Sequence, residues 1–391
     1  MSPGQPHITR RHFLRNLAGG AAVVAVGGAT WRAIDQGVFS TGDGPAYAAW
    51  GEWDDRSGGF LALVRPAVLA ANAHNTQPWL FELGTDRIDL FADTTRSMGA
   101  MDPLRREMYV SVGCALENLM LAAQAEGLRP AVTLLPDPSD ETHVAQVGLG
   151  TGGREESPLY HAIPNRHTDR GAYDTSRPVE RATLDRLASL NDVVDLRVAW
   201  ITDEAGKRRF GEYTIEATVA IANDPEMAAD SYAWMRQDWD QIQREKDGLT
   251  VDASGLSDIV RALGKLLPAQ SQKKIDSSWV GATRTRTVAT ASAFGIVAAR
   301  DRGDDRQRLE AGRLWQRLHL AATDAGLSMQ PLAQTVERAD RELSANLKPV
   351  FTNALAELTP EWQAVLPFRV GYPTGEPALS PRRPAEEVTR S

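Results

Sequence analysis

The sequence predicts an α+β protein made of two related halves on one chain, and three observations carry that expectation. A sixteen-residue segment recurs about two hundred residues further on. Apolar runs of strand length are interspersed with helical patterns rather than alternating in strict β-α order. The second copy of the repeat is also preceded by a much longer stretch than the first, which points to an insertion.

The repeat comes first. Gly113–Leu128 aligns without gaps on Gly312–Leu327 and matches at seven of sixteen positions, among them Leu119/Leu318, Leu121/Leu320, the Ala-Ala pairs and the closing glycines. In the first copy Leu104, Met108, Val112, Ala115, Leu119 and Ala122 recur at spacings of three or four, so one helix face is buried. Gly127 and Gly326 stand where a left-handed C-cap belongs. Trp79–Leu83 and Ile88–Ala92 read as a hairpin around Gly84-Thr85-Asp86, and Ala131–Leu135, Leu196–Thr202, Ala293–Ala298 and Leu366–Gly371 as further strands. The halves run over 49–160 and 161–391. The second carries about 80 more residues ahead of its repeat helix, assigned to the polar, Trp-bearing stretch at about 225–285, where Asp247-Gly248 offers a flexible turn. Insertions of this length often serve as lids.

Residues 1–48 are set apart as an export segment. Thr9-Arg10-Arg11-His12-Phe13-Leu14-Arg15 fits a twin-arginine motif, and Leu17 to Gly28 is an uncharged Gly/Ala-rich run. It is too short and too weakly apolar to span a bilayer. Ala46-Tyr47-Ala48 fits a cleavage site but lies far beyond that run, so the segment could equally stay attached. Export to the periplasm or cell envelope by a route that carries folded proteins is a first hint of a bound cofactor.

Bulk properties remove other classes. A net charge of −8 argues against nucleic-acid binding. One cysteine, Cys114, excludes an internal disulfide, and the seven histidines show no metal-ligand spacing, so no metal is expected. Gly148-Leu-Gly-Thr-Gly-Gly153 satisfies a dinucleotide-type glycine pattern, but Arg154-Glu-Glu-Ser-Pro158 follows instead of a helix start. Ser271-Gln-Lys-Lys274 satisfies a Ser-x-x-Lys pattern with no supporting partner.

Two clusters remain. Asn72-Ala73-His74-Asn75-Thr76-Gln77-Pro78-Trp79 places amides and an imidazole between a helix and a strand, suited to hydrogen-bonding a heteroaromatic ligand or simply capping the helix. Arg166-His167-Thr168-Asp169-Arg170 puts two guanidiniums and a hydroxyl on one side of an extended segment. That is either a phosphate clamp or a solvated run of charge. Arg382-Arg383 adds a third basic pair near the C-terminus.

Taken together, these pieces resemble the FMN-dependent nitroreductase family, most closely its fused single-chain, Acg-type branch, over about residues 50–385. Ala73 to Trp79 is similar to the family's flavin loop, with Asn72 and Ala73 in its serine region, and Arg166-x-Thr168-x-Arg170 to its phosphate segment. Ser328-Met329-Gln330-Pro331-Leu332-Ala333-Gln334 stands where family backbone approaches the flavin ring. Its usual Glu-Gly is Ala333-Gln334 here. Each half lacks what the other supplies. The resemblance implies an intramolecular pseudo-dimer, monomeric, with one FMN held by Asn72, His74, Asn75, Gln77, Arg166, Thr168, Arg170, Gln330, Pro331, Ala333, Gln334, Arg382 and Arg383, and with no side-chain acid or base assigned. It implies two-electron transfer from NAD(P)H, or from a non-nicotinamide donor after export, to small aromatic acceptors such as nitroaromatics and quinones. The alternative is a flavin-sequestering or stress-response binding protein closed by its lid.

Overall fold

The computed structural model describes residues 30–390, so the Arg10-Arg11 motif and the run to Gly28 lie outside the described residues. The described chain is mixed α and β, as expected. The first half holds α1 (Leu61–Ala67), β1 (Trp79–Leu83), β2 (Arg87–Ala92), α2 (Arg106–Ala125), β3 (Leu128–Leu134) and β4 (His143–Thr151). The second opens with α3 (Arg181–Ala188) and β5 (Leu196–Ile201), followed by α4 (Glu204–Ala222), α5 (Pro225–Tyr232), β6 (Met235–Arg236), α6 (Trp239–Glu245), β7 (Leu249–Thr250), α7 (Asp258–Leu266) and α8 (Gln272–Ala282). It then runs through β8 (Ala293–Ala299), α9 (Asp305–Asp324), β9 (Ser328–Pro331), α10 (Gln334–Ser344), α11 (Val350–Leu358), β10 (Gln363–Gly371) and β11 (Thr389–Arg390).

The repeat extends to topology. Apart from the short parallel pair of β6 and β7, one sheet has the order β11-β1-β2-β4-β3 and a second β5-β8-β10-β9. Setting β11 aside, both are antiparallel, both follow the order first, second, fourth, third, and both place the long helix between second and third strands. Short β11 returns from the C-terminus to pair in parallel with β1, so the last residues of the second half complete the sheet of the first.

The two long helices meet at the glycines of the repeat. A Cβ on Gly113 would collide with the Leu309 carbonyl oxygen, and one on Gly312 with that of Val110. The contact is reciprocal, each glycine resting on the residue three positions before its counterpart, as at a two-fold axis. Because α2 lies between the halves, only its Met120 and Gln124 escape full burial; it is apolar around most of its circumference, not on one stripe. Polar groups in this seam are paired. Gln316 Nε2 donates to Asn118 Oδ1 (2.8 Å), Asn118 Nδ2 to the Pro66 carbonyl (2.9 Å), and Glu117 receives Arg313 (2.9 Å). Gly127 and Gly326 both take positive φ, 77° and 71°, at the helix ends, as their positions in the repeat predict.

Three expectations need correction. The extra length of the second half starts at residue 202, not 225. It fills the interval from β5 to β8, where the first half has only the turn 84–86. A smaller excess, α10 and α11, falls between β9 and β10, opposite the short loop 135–142. Residues 30–48 also belong to the fold. Ala33, Ala46 and Tyr47 are buried, Gly37 lies against the Trp239 indole, and the Ala46 amide donates to Gln243 Oε1 (3.0 Å). Finally, Asp247-Gly248 is anchored rather than free. Asp247 is buried and ion-paired with Arg96 and Arg236, and the Gly248 amide donates to the Asn75 carbonyl (3.2 Å).

Candidate functional site

The loop after α1 turns sharply. His74, Asn75 and Gln77 all take positive φ, 47°, 56° and 50°, a region that side chains with a Cβ rarely occupy. Hydrogen bonds hold it there: Asn72 Oδ1 accepts from the Gln77 amide (2.9 Å), Ser111 Oγ from the Ala73 amide (3.0 Å), and Thr76 Oγ1 donates to the Ala73 carbonyl (2.9 Å). Asn75 Nδ2 donates to the carbonyls of Pro381 (2.9 Å) and Gly248 (3.2 Å), and its Oδ1 accepts from Arg382 Nη1. Gln77 Nε2 donates to the Lys246 carbonyl (2.9 Å), and its Oε1 accepts from the Arg383 amide (2.8 Å). The Asn75 and Gln77 side chains, expected as ligand donors, tie this loop to the insertion and to the C-terminal segment.

Behind the loop lies a concentration of positive charge that, among the described residues, the nearby Asp169 offsets only in part. Arg166 and Arg382 are 1% and 4% exposed. Arg166 donates to the Leu69 carbonyl (2.9 Å) and faces His319 Nδ1 (3.4 Å). Arg382 binds Asn75 Oδ1 and the carbonyls of Pro381 (2.8 Å) and Ala70 (3.4 Å), and Arg170 binds that of Ala253 (3.2 Å). None of these acceptors is a carboxylate. The Nε atoms of Arg166 and Arg382 have no partner. Burial, then repulsion from Arg166 and Arg170, pulls the Arg382 guanidinium well below its usual range. Burial brings Arg166 and Arg170 down to about 10, still charged at neutral pH, with Asp169 offsetting part of the effect at Arg170. Buried charge without a counter-charge is costly, so the trio is arranged to receive an anion.

His167 and His319 line the same place. Burial first and Arg166 next hold His167 at about 3 and His319 well below the usual imidazole range. His167 also lies against Trp50, with ring centroids 4.6 Å apart. Neutral at pH 7, these rings add no charge.

Thr168 bridges to Met329, so the phosphate-type segment lies alongside β9. On β9, Gln330 Oε1 accepts from Arg369 Nε (2.8 Å), and Arg369 also donates to the carbonyls of Gly171 (2.6 Å) and Asp169 (3.2 Å). Pro331 pairs with Phe368. Ala333 caps α10, accepting from the Glu337 amide (2.8 Å), and the buried Gln334 Oε1 and Thr335 Oγ1 have no partner. One turn further, Glu337 meets Glu107 and His74, their ligand-type atoms all within 4.8 Å of one another. Burial raises Glu107 to about 7 and Glu337 well above its usual range, while burial and Arg170 lower His74 to about 4.

The structure thus brings Asn72, His74, Arg166, Thr168, Arg170, Gln330, Pro331, Ala333, Gln334 and Arg382 around one region built from both halves. It separates Arg383, whose guanidinium donates to the Glu387 carbonyl (3.0 Å) and feels Arg96 and Asp93 rather than the trio. Sequence reading missed Arg369, Glu107, Glu337 and His319. Only Arg369, a lone charge inside the apolar strand β10, carried a usable signal.

No protein-family model matches this chain. Among curated relatives, a provisionally named NAD(P)H nitroreductase of Mycobacterium tuberculosis is 36% identical over 109 residues, 27% of this chain and 32% of the relative. The match therefore spans about a third of that relative's length. The provisionally named NAD(P)H nitroreductase Acg of the same organism is 27% identical over 357 residues, covering 83% of this chain and 93% of its own. An uncharacterised M. tuberculosis protein is 24% identical over 352 residues, covering 83% and 92%. Among solved structures, the FMN-dependent nitroreductase NfnB of Mycobacterium smegmatis, in complex with NADPH, aligns with 60% of this chain and 97% of its own at 16% identity and a TM-score of 0.38, too loose a superposition to establish a common fold.

Proposed function

We propose that the chain is an FMN-binding oxidoreductase of the nitroreductase kind, a monomer whose two halves build one site. The observation that carries this reading is the trio Arg166, Arg170 and Arg382, the first and last buried and Arg170 half-buried, with Arg382 repelled by the other two and none of the three hydrogen-bonded to a carboxylate. A phosphate monoester satisfies such a trio, because planar guanidiniums match its oxygens in charge and geometry. FMN is a phosphate monoester with a flat heteroaromatic ring, and the unpaired Gln334 Oε1 and Thr335 Oγ1 are polar partners available to that ring. The likeness to Acg over 83% of the chain points the same way. When bound, FMN supplies two-electron transfer between NAD(P)H, or a non-nicotinamide donor outside the cytoplasm, and a flat acceptor of the nitroaromatic or quinone class. The chain's own work is to hold the phosphate, exclude water and admit the acceptor.

The interval 202–292 supplies the cover. Ala253 accepts from Arg170, and Gly248 and Lys246 are bonded to the Asn75–Gln77 loop. That fastening by Asp247 favours a second reading, a flavin-sequestering protein that opens rarely. Anaerobic reduction of the FMN-loaded protein by NAD(P)H, followed by turnover of a quinone, separates the two. Rapid turnover supports the enzyme, and bound but unreactive flavin supports sequestration. We further propose twin-arginine export, motivated by Arg10-Arg11 ahead of an uncharged run. Unchanged export of an Arg10→Lys, Arg11→Lys variant would falsify it.

A further inference from the structure

One helix of the insertion is built inside out. On α7, Lys265 and Arg261 point into the protein, where Lys265 Nζ pairs with the fully buried Asp252 (2.7 Å) and donates to the Gly37 carbonyl (2.9 Å), and Arg261 also faces Asp252 (3.5 Å). Of its apolar residues only Ala262 and Leu266 pack inward; Ile259 is 62% exposed, and Val260, Leu263 and the following Leu267 are each about half exposed. A helix on a water-facing surface normally shows the opposite arrangement. Next to it, residues 30–35 form a helical turn whose Ala33 packs with Ala262 and Leu266, leaving Trp31 and Ile34 exposed. These two short neighbouring segments hold six of the ten large apolar side chains exposed among the described residues. That concentration marks a binding face rather than ordinary scatter.

We infer that this face rests on a lipid surface, with α7 and residues 30–34 lying in the interfacial plane. The chain immediately before the patch favours lipid over a protein partner. Leu17 to Gly28 is twelve uncharged residues of Gly, Ala, Val and Leu. As a helix it would reach roughly 18 Å, well short of the roughly 30 Å hydrocarbon core, so by itself it is a weak anchor. Stable attachment takes two such signals acting together, and the exposed face supplies the second within a few residues of the first. Trp31 suits the boundary between headgroups and chains. The attraction of the face itself is apolar. Arg10, Arg11 and Arg15 stand just ahead of the uncharged run and add an attraction to anionic lipid that salt screens.

The test uses the full chain, residues 1–391, sedimented with phosphatidylcholine vesicles with and without phosphatidylglycerol, beside an Ile259→Glu, Leu263→Glu double variant. Both positions are exposed, so the variant keeps its circular dichroism and melting temperature. The expected result is wild-type protein in the vesicle pellet at low and high salt, any gain from phosphatidylglycerol lost at high salt, and at least tenfold weaker partitioning of the variant at high salt. Wild-type protein left in the supernatant would overturn the inference, whether it is monomeric, its face then covered by its own N-terminal run, or a dimer that the double substitution dissociates. Equal pelleting of wild type and variant at high salt would overturn it too.

Discussion

Arg170→Ala isolates the role of the cationic trio. In the free protein Arg170 makes one hydrogen bond, to the Ala253 carbonyl (3.2 Å), is attracted by Asp169, and repels Arg382. Removing it loses that bond and the Asp169 attraction and relieves the repulsion, effects of opposite sign, so the stability of the apoprotein should change by no more than about 1 kcal/mol. With a phosphate present the balance differs. A charge-assisted hydrogen bond contributes about 1.5–3 kcal/mol, so FMN should bind about tenfold to about a hundredfold more weakly. Riboflavin has the same ring and no phosphate, and its affinity should stay as it was. Titration of both flavins into apoprotein, followed by quenching of their fluorescence, reads the ratio directly. If FMN and riboflavin weaken equally, Arg170 acts through the cover at Ala253 and not on phosphate. If neither weakens, the trio is not the anion site.

Other consequences follow from the packing and the buried charges. Gly312→Ala should lower stability by about 3 kcal/mol, because the new methyl meets the Val110 main chain at the crossing of α2 and α9; a urea midpoint at or above wild type would contradict the crossing. Glu107 is raised from 4.5 to about 7, by burial first and by Asp102, against Arg106. Its contribution is therefore present below pH 4.5 and lost as pH rises through about 7. Glu107→Gln should accordingly gain on wild type between pH 5 and 8, by on the order of 1–3 kcal/mol, and parallel stability curves would refute this. Asp247→Ala removes the partner of Arg96 and Arg236 and should speed both flavin release and reduction by a bulky donor in stopped flow; unchanged rates would mean that the latch does not gate the site.

Much of this architecture was readable because local chemistry and tertiary structure agree. The repeat glycines Gly113 and Gly312 could be aligned from sequence, and they meet because only glycine lets two backbones approach so closely. Trp79–Leu83 was placed to the residue because it is apolar and bounded by Pro78 and Gly84. β4 escaped because its glycines, Gly148 and Gly150, look like a loop, and only its neighbours β2 and β3 make it a strand. Arg166, Arg170 and Arg382 could be named from spacing and resemblance. That Arg383 faces away depends on the backbone between Pro381 and Pro384, which no pattern reveals. Asn75 and Gln77 stand out in sequence, but that they brace the loop does not, since amides that bind a ligand and amides that brace a loop look alike there. The inside-out α7 shows helical periodicity either way round, and which face is buried is decided by Asp252 beneath it.

The most direct test of the central claim is the number of flavins held per chain. Apoprotein reconstituted with FMN, gel-filtered and denatured, should release one FMN per polypeptide while eluting as a monomer, and the released compound should be FMN rather than riboflavin or FAD. Two flavins per chain, one flavin shared by a dimer, or a colourless protein after reconstitution would each contradict a single site assembled from the two halves.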